Sequence, residues 1–374
     1  MIKKEPRLQS LDIFRGFTIA AMILVNTPGD WNYIYPPLEH SKWNGCTPTD
    51  LVFPSFLFMA GVSIVFALQK KRAEAALHKG ILVSAFRRML LLIVIGLSIQ
   101  LIYRWDFQHL RFPGVLQRIA VVYFISTLLY LKFSSRALNY IFAFALIGYY
   151  IIMTFVPVPD GHLPNLEPAT NMAAYIDRWV FSVDHLYKPS GGIWDPVGLL
   201  STLPAIGTTL FGVKVGVWLK RTDLDPRDKT IGLFIAGILA IVAGLIMDLF
   251  FPINKSLWTS SYVLYSAGIC TVGFTLTYWF VDLKNRGKGL WPFLVFGTNA
   301  ISAYILSEVS PGLIDLLTLN IHGQRVSGMK LLYSQLFLPF FSPQNASLLS
   351  AVCFVLFIWL LMLPLYRKHI IIKL

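Results

Sequence analysis

Ten stretches of about 20 mostly apolar residues run along the chain, at 9–28, 51–69, 80–103, 114–131, 137–156, 196–219, 230–250, 259–281, 290–309 and 347–366. A helix rises about 1.5 Å per residue, so each stretch is long enough to cross the hydrocarbon of a bilayer. The expected fold is therefore all-α: a polytopic integral membrane protein of about ten transmembrane helices, forming one domain over 1–374. The connections alternate in character. Those at 70–79, 132–136, 220–229 and 282–289 are short and basic, whereas 29–50, 157–195 and 310–346 are long. With the N-terminus inside, most of the 32 Lys and Arg residues fall on the inner side. The positive-inside rule then predicts that both termini are cytoplasmic and that the long loops lie outside.

Composition supports this reading and narrows the function. Of the 374 residues 56% are apolar and only 14% charged, and the mean hydropathy is +0.63. A soluble domain of this size needs more polar surface. The net charge of +13 reflects topology, so no nucleic-acid partner is expected. Cys46, Cys270 and Cys353 form no pattern for a disulfide framework or a metal site. Lys3, Lys4 and Arg7 ahead of an apolar run resemble a signal peptide. Asp12 and Arg15 interrupt that run, which reads better as a retained first span. We find no internal repeat, which counts against a secondary transporter built from two similar halves.

Polar residues within or beside the spans are the candidates for chemistry. Asp12 and Arg15 stand three apart on one helical face and can pair; a structural ion pair and an anion-binding role are both open. Asn26, eleven residues beyond Arg15, returns to nearly the same face about 16 Å further on. Either a polar path along the first helix or interhelical hydrogen bonding accounts for it. His40 lies in the first long loop and Asp50 directly precedes the second span. An imidazole is suited to proton transfer near neutral pH, and a carboxylate can fix its tautomer. A solvated histidine is the commoner case, and His162, His185 and His322 also lie in outer loops. What singles out His40 is the following WNGCTPTD, whose turn-formers hold a loop against the membrane. Arg118, inside the fourth span, needs an anion, for which Asp50 is the expected partner. Asp195 and Pro196 read as a cap for the sixth span, with substrate contact second. Gly207, Gly212 and Gly216 read as close helix packing. Trp43, Trp179 and Trp194 are either interfacial belt residues or platforms for a sugar ring. No Walker, GxSxG, HExxH or Rossmann motif stands in a credible context.

The blocks SLDIFRGFTIAAMILVN, HSKWNGCTPTDLVFPSFLFMAGVS, GVLQRIAVVYF, WDPVGLLSTLPAIGTTLFGV, LWTSSYVLYSAG and FGTNAISAYI, in this order, resemble the heparan-alpha-glucosaminide N-acetyltransferase family and its bacterial relatives of the NagX type. The resemblance implies transfer of an acetyl group from cytoplasmic acetyl-CoA, as co-substrate, to an amino sugar on the far side of the membrane, with no metal. It makes the position of His40 catalytic and puts Asn26 and Asp50 in the same region. On this basis Asp12, Arg15, Gln117, Arg118 and Asn299 are assigned to the acetyl-CoA side and Trp43, Asn44, Trp194 and Asp195 to the acceptor. The long N-terminal lumenal part of the lysosomal enzyme is not seen here. The expected acceptor is accordingly a small amino sugar or glycan fragment at a bacterial inner membrane. The expected partners are the lipid bilayer and that acceptor, with a homo-oligomer compatible. Two other classes stay open: a transporter of sugars or cell-wall fragments, and an O-acetyltransferase of surface polysaccharide.

Overall fold

The computed structural model describes residues 8–103, 105–321 and 324–372; His322 and the basic residues Lys3, Lys4 and Arg7 lie outside them. The described residues form α1 (Gln9–Asn26), α2 (Val52–Arg72), α3 (Ala75–Tyr103), α4 (Val115–Lys132), α5 (Ser135–Phe155), α7 (Thr202–Leu219), α8 (Pro226–Asp248), α9 (Ser260–Tyr278), α10 (Trp291–Thr298), α11 (Ala300–Asp315) and α13 (Pro343–Arg367), together with two short helices in stretches expected to be loops, α6 (Met172–Phe181) and α12 (Gly328–Leu332). A two-strand antiparallel ribbon, Leu319–Ile321 with Gln324–Val326, follows α11.

Among the described residues, eight helices are long and apolar enough to span a membrane. A ninth span is obtained if Lys288–Thr298 and Ala300–Asp315, bent by 71° at Asn299, count as one. These match nine of the ten expected stretches. The exception is α1, which is helical over the expected residues but too polar to qualify, because Gln9, Ser10, Asp12, Arg15 and Asn26 dilute its apolar run. The sixth expected stretch is also shorter than predicted: the helix starts at Thr202 and not at Pro196.

The helices gather into two compact units. One comprises residues 8–40, Thr47–Val52 and 273–372 and contains α1, α10, α11, α12 and α13. Its centre is the crossing of α1 and α10. A Cβ built on Gly16 would meet the Phe293 carbonyl oxygen at 1.8 Å, and one on Gly297 would meet the Asp12 carbonyl oxygen at 1.8 Å. Only glycine lets the two backbones approach so closely, the small-residue packing that replaces the hydrophobic effect between helices in lipid. Trp359 of α13 donates its Nε1–H to the Pro292 carbonyl at 2.9 Å and tilts against Trp291.

The other unit comprises Ser41–Cys46 and residues 53–272. Here α2 and α7 cross by the same device: a Cβ on Gly61 would meet the Thr209 carbonyl oxygen, and one on Gly212 the Phe58 carbonyl oxygen, each at 2.0 Å. Trp258 is fully buried, packs edge-on to Phe53 and Tyr262, and donates its Nε1–H to Thr208 Oγ1 at 3.1 Å. Its φ of +54° is a left-handed conformation rare for a bulky residue.

The α1–α10 crossing yields a stability prediction. Gly16→Ala forces a methyl into backbone that cannot swing aside, and should lower stability by about 3 kcal/mol. Gly80→Ala, exposed on α3 with nothing within 4 Å, should be neutral or stabilising by about 0.5–1 kcal/mol. Thermal unfolding of the detergent-solubilised variants measures both, and equal melting temperatures would refute the tight crossing.

Candidate functional site

The first long loop folds back on itself through short polar contacts. Pro36–Leu38 and Pro48–Leu51 each form a 3-10 turn, with proline pre-set for the first turn position. Thr47 Oγ1 lies 2.6 Å from the Glu39 carbonyl, and Thr49 Oγ1 donates to the Pro37 carbonyl at 3.4 Å. These contacts tie the stretch before His40 to the turn that starts α2.

Asp50 is the third residue of that second turn and is completely buried. Its Oδ2 accepts the Thr47 backbone N–H at 3.0 Å, the carboxylate half of a capping box. Its Oδ1 lies 2.8 Å from His40 Nδ1. An ionised carboxylate only accepts hydrogen bonds, so Nδ1 carries the proton and Nε2 is the acceptor nitrogen of the neutral ring. The imidazole is 51% exposed. A half-exposed base is thus held by a carboxylate that is itself held by backbone, the arrangement that orients a general base. The pairing of His40 with Asp50 expected from the sequence is present. Asn26 is exposed at the end of α1, in the same unit, and α1 packs on the Pro48–Leu51 turn.

At the start of α1, Arg15 Nη1 donates to Asp12 Oδ1 at 3.0 Å and to the Gly297 carbonyl at 3.3 Å. Asn299, two residues on, is 3% exposed; it donates Nδ2–H to the Ile370 carbonyl at 2.8 Å and accepts the Ile372 N–H at 2.9 Å. The α1–α10 crossing therefore brings Asp12, Arg15 and Asn299 to one end of this unit.

The remaining candidates lie in the second unit. Trp43 donates its Nε1–H to the Leu166 carbonyl at 2.9 Å and meets Trp194 edge-on, with ring centroids 5.0 Å apart. Asn44 Oδ1 accepts from Asn254 Nδ2 at 3.1 Å. Asp195 is gripped by Arg111, whose Nε and Nη2 reach its two oxygens at 2.8 and 2.6 Å, and it also accepts the Val197 N–H at 2.9 Å. Because α7 begins at Thr202, Asp195 caps a turn ahead of the helix and not the helix itself. Arg111 in turn stacks its guanidinium 4.6 Å above the Tyr187 ring, and Tyr187 lies 6.0 Å from Trp194.

Arg118 is 3% exposed and donates to the Pro196 carbonyl at 3.2 Å, the Gly198 carbonyl at 2.8 Å and Ser201 Oγ. These acceptors take the place of Asp50, the expected partner. Backbone carbonyls turned inward by the 196–201 turn thus engage its two terminal nitrogens, while its Nε is buried without a hydrogen-bond partner. Gln117, next to it, wedges against Gly96 and Gly114, and its Nε2 is buried without a protein partner. Sequence reasoning missed Arg111, Tyr187 and Asp177. The only signal for Arg111 was its place seven residues before Arg118 in HLRFPGVLQR. His185 is structural: its Nδ1 bonds the Leu110 carbonyl at 2.7 Å and its ring stacks on Phe112.

Fold and site together define a multi-pass helical membrane protein with an acid–base pair set in a loop before a span. Comparison with known proteins narrows the class. A profile described as heparan-alpha-glucosaminide N-acetyltransferase, catalytic, matches residues 7–187. The chain is 31% identical to the human heparan-alpha-glucosaminide N-acetyltransferase and 30% identical to the mouse protein, each alignment covering 81% of this chain. Over these residues the chain is similar to heparan-alpha-glucosaminide N-acetyltransferases, the likeness that the sequence blocks indicated. The chain spans about half the length of these relatives, 53% of each.

Asp177 generates a pH prediction. It is 1% exposed and accepts the Leu199 N–H at 2.7 Å. Burial pushes its carboxyl up to about 7; the Leu199 N–H works against this, Asp195 adds to it, and Arg118 and Arg178 oppose it. The folded state therefore holds a proton that the unfolded chain has released above its ordinary value of 3.8. The contribution of this group to stability is full below that value, declines as pH rises toward about 7, and is flat above. Asp177→Asn should remove the decline, so the difference between variant and wild-type melting temperatures should grow in the variant's favour from pH 4 to 7 and then level off. A pH-independent difference would contradict the raised carboxyl.

Proposed function

We propose that the protein transfers an acetyl group from acetyl-CoA, bound from the cytoplasmic side, to the amine of a small amino sugar or glycan fragment outside. The observation that carries this reading is the 2.8 Å contact between the half-exposed His40 ring and the buried Asp50. It is supported by the relatives named as N-acetyltransferases. The setting is a bacterial inner membrane, with the start of α1 and both termini cytoplasmic.

In this mechanism His40 Nε2 takes the proton from the acceptor amine as its nitrogen attacks the thioester carbonyl. The C–N bond forms, the C–S bond breaks, and the imidazolium returns its proton to the departing thiolate. Asp50 holds the ring in the required tautomer and stabilises the imidazolium. Asn26 donates its amide to the developing oxyanion. Asp12, Arg15 and Asn299 serve the acetyl-CoA side. Trp43 and Trp194, the former three residues after His40, offer aromatic faces to a sugar ring. Arg111 and Arg118 act as positioning residues: they fix the Asp195–Ser201 turn beside Trp194, and Asp195 serves the acceptor through that turn.

The test is acetyl transfer by the purified protein to a panel of amino sugars, with glucosamine first. His40→Ala should lower kcat by about 10²–10⁴-fold. Asn26→Ala should lower it by about 10²–10³-fold. Asp50→Asn should lose about as much as His40→Ala, since the amide favours the wrong tautomer. Wild-type rates in His40→Ala would remove the reading. Labelled acetyl-CoA without acceptor tells the two chemical routes apart: stable label on His40 means the ring carries the acetyl group, and none under turnover-competent conditions means direct transfer.

A further inference from the structure

At the break between α10 and α11 the Asn299 carboxamide is engaged by a later segment of the chain itself. After α13 the chain turns at His369, whose φ is +53°, with the Lys368, His369 and Ile370 N–H groups closing on the Pro364, Tyr366 and Leu365 carbonyls. This turn lays 370–372 against Asn299. The carboxamide of Asn299 then reads one edge of an extended backbone, donating to a carbonyl and accepting an N–H two residues further on. Ile370, Ile371 and Ile372 are 45%, 45% and 51% exposed. Their side chains are poorly buried for such apolar residues, so hydrophobic burial holds this strap only weakly. The two hydrogen bonds to Asn299 are its specific attachment. Arg15, bonded to the Gly297 carbonyl, puts a guanidinium beside the same break.

We propose that Asn299 is the recognition point for an extended, amide-bearing chain, the pantetheine arm of CoA, and that 370–372 is an internal strap which this arm displaces. The proposal rests on acetyl-CoA being the donor. A secondary amide in an aliphatic chain presents the same carbonyl and N–H chemistry as peptide backbone, so one carboxamide serves both. Displacement exchanges two hydrogen bonds for two of the same kind, which keeps the strap removable. A net hydrogen bond is worth about three- to tenfold in affinity, so either side of this exchange is sensitive to a single substitution. The strap then acts as an intramolecular competitor that lowers apparent affinity for CoA.

Hydrogen exchange on the full-length protein in detergent, with unacetylated CoA as the probe, tests this without turnover. Saturating CoA should speed exchange in the peptide spanning 367–374. Ile372→Pro, which removes the N–H given to Asn299, should tighten CoA binding about three- to tenfold, whereas Asn299→Ala should weaken it about tenfold. The KM for the amino sugar should stay unchanged in Ile372→Pro. If CoA binds but exchange in 367–374 is unchanged or slowed, the strap is structural and this proposal alone falls. If CoA does not bind the wild-type protein at all, the donor assignment falls and the strap proposal with it. Ile372→Pro alters only the segment after α13, so its readout holds even where Asn299→Ala misfolds.

Discussion

Hydrocarbon offers no water to a polar group, so every charge placed in a span must be satisfied by the protein itself or reach the interface. This constraint organises both units. Arg15 is met by Asp12 and by a carbonyl of α10, and Arg118 by two carbonyls and a hydroxyl of the 196–201 turn. Other cations lie on aromatic rings: Arg72 over Tyr130, Arg88 over Tyr123 and Lys214 over Phe142, at 4.4, 4.7 and 4.0 Å. The Arg118 arrangement also fixes the 196–201 turn. A guanidinium has donors in a fixed fork, and a loop that turns several acceptors toward it is thereby held in one conformation. Trp194 and Asp195 stand at the start of that loop, and Arg111 holds Asp195 from its other side through both carboxylate oxygens.

Asp50 solves a related problem in the other unit. A buried carboxylate is costly unless both oxygens are engaged. Here one oxygen closes the turn that opens α2 and the other holds His40. The two roles are inseparable: the capping bond keeps the carboxylate in place, and that placement gives the imidazole its tautomer. This accounts for the proline and threonine content of the loop. Pro48 starts the turn, Thr47 supplies the N–H to Asp50, and Thr47 and Thr49 tie the turn to the segment before His40.

Much of this was legible in the sequence because hydropathy and helical period are strong signals. Nine of the ten stretches became spans or a bent span, and the Asp12–Arg15 pair followed from a spacing of three. The His40–Asp50 pair was legible from residue type and from the turn-formers between them. The partner of Arg118 was not. Matching two residues by depth along their helices pointed to Asp50, whereas the true acceptors are mostly backbone carbonyls about 80 positions away, which no residue type announces. Asp195 was misread as a helix cap because apolar residues begin at Val197 although the helix begins only at Thr202. Arg111, Tyr187 and Asp177 were missed for a similar reason: they belong to irregular connections or a short helix, where no periodicity marks which charges face inward.

The departure of α1 from the apolar pattern is the most instructive of these differences. As a mere membrane anchor it would gain from replacing Asp12, Arg15 and Asn26 with leucine. It instead carries polar groups in its first two turns and at its last residue, Asp12 and Arg15 standing about 21 and 16 Å from Asn26 at a rise of about 1.5 Å per residue. At the start of the helix neighbouring elements meet this polarity, since α10 crosses at Gly16 and supplies the Gly297 carbonyl to Arg15, while Asn26 at its other end is exposed. The close glycine crossing is thus the means by which the fold tolerates the hydropathy deficit of α1, since it brings a carbonyl of α10 within reach of Arg15.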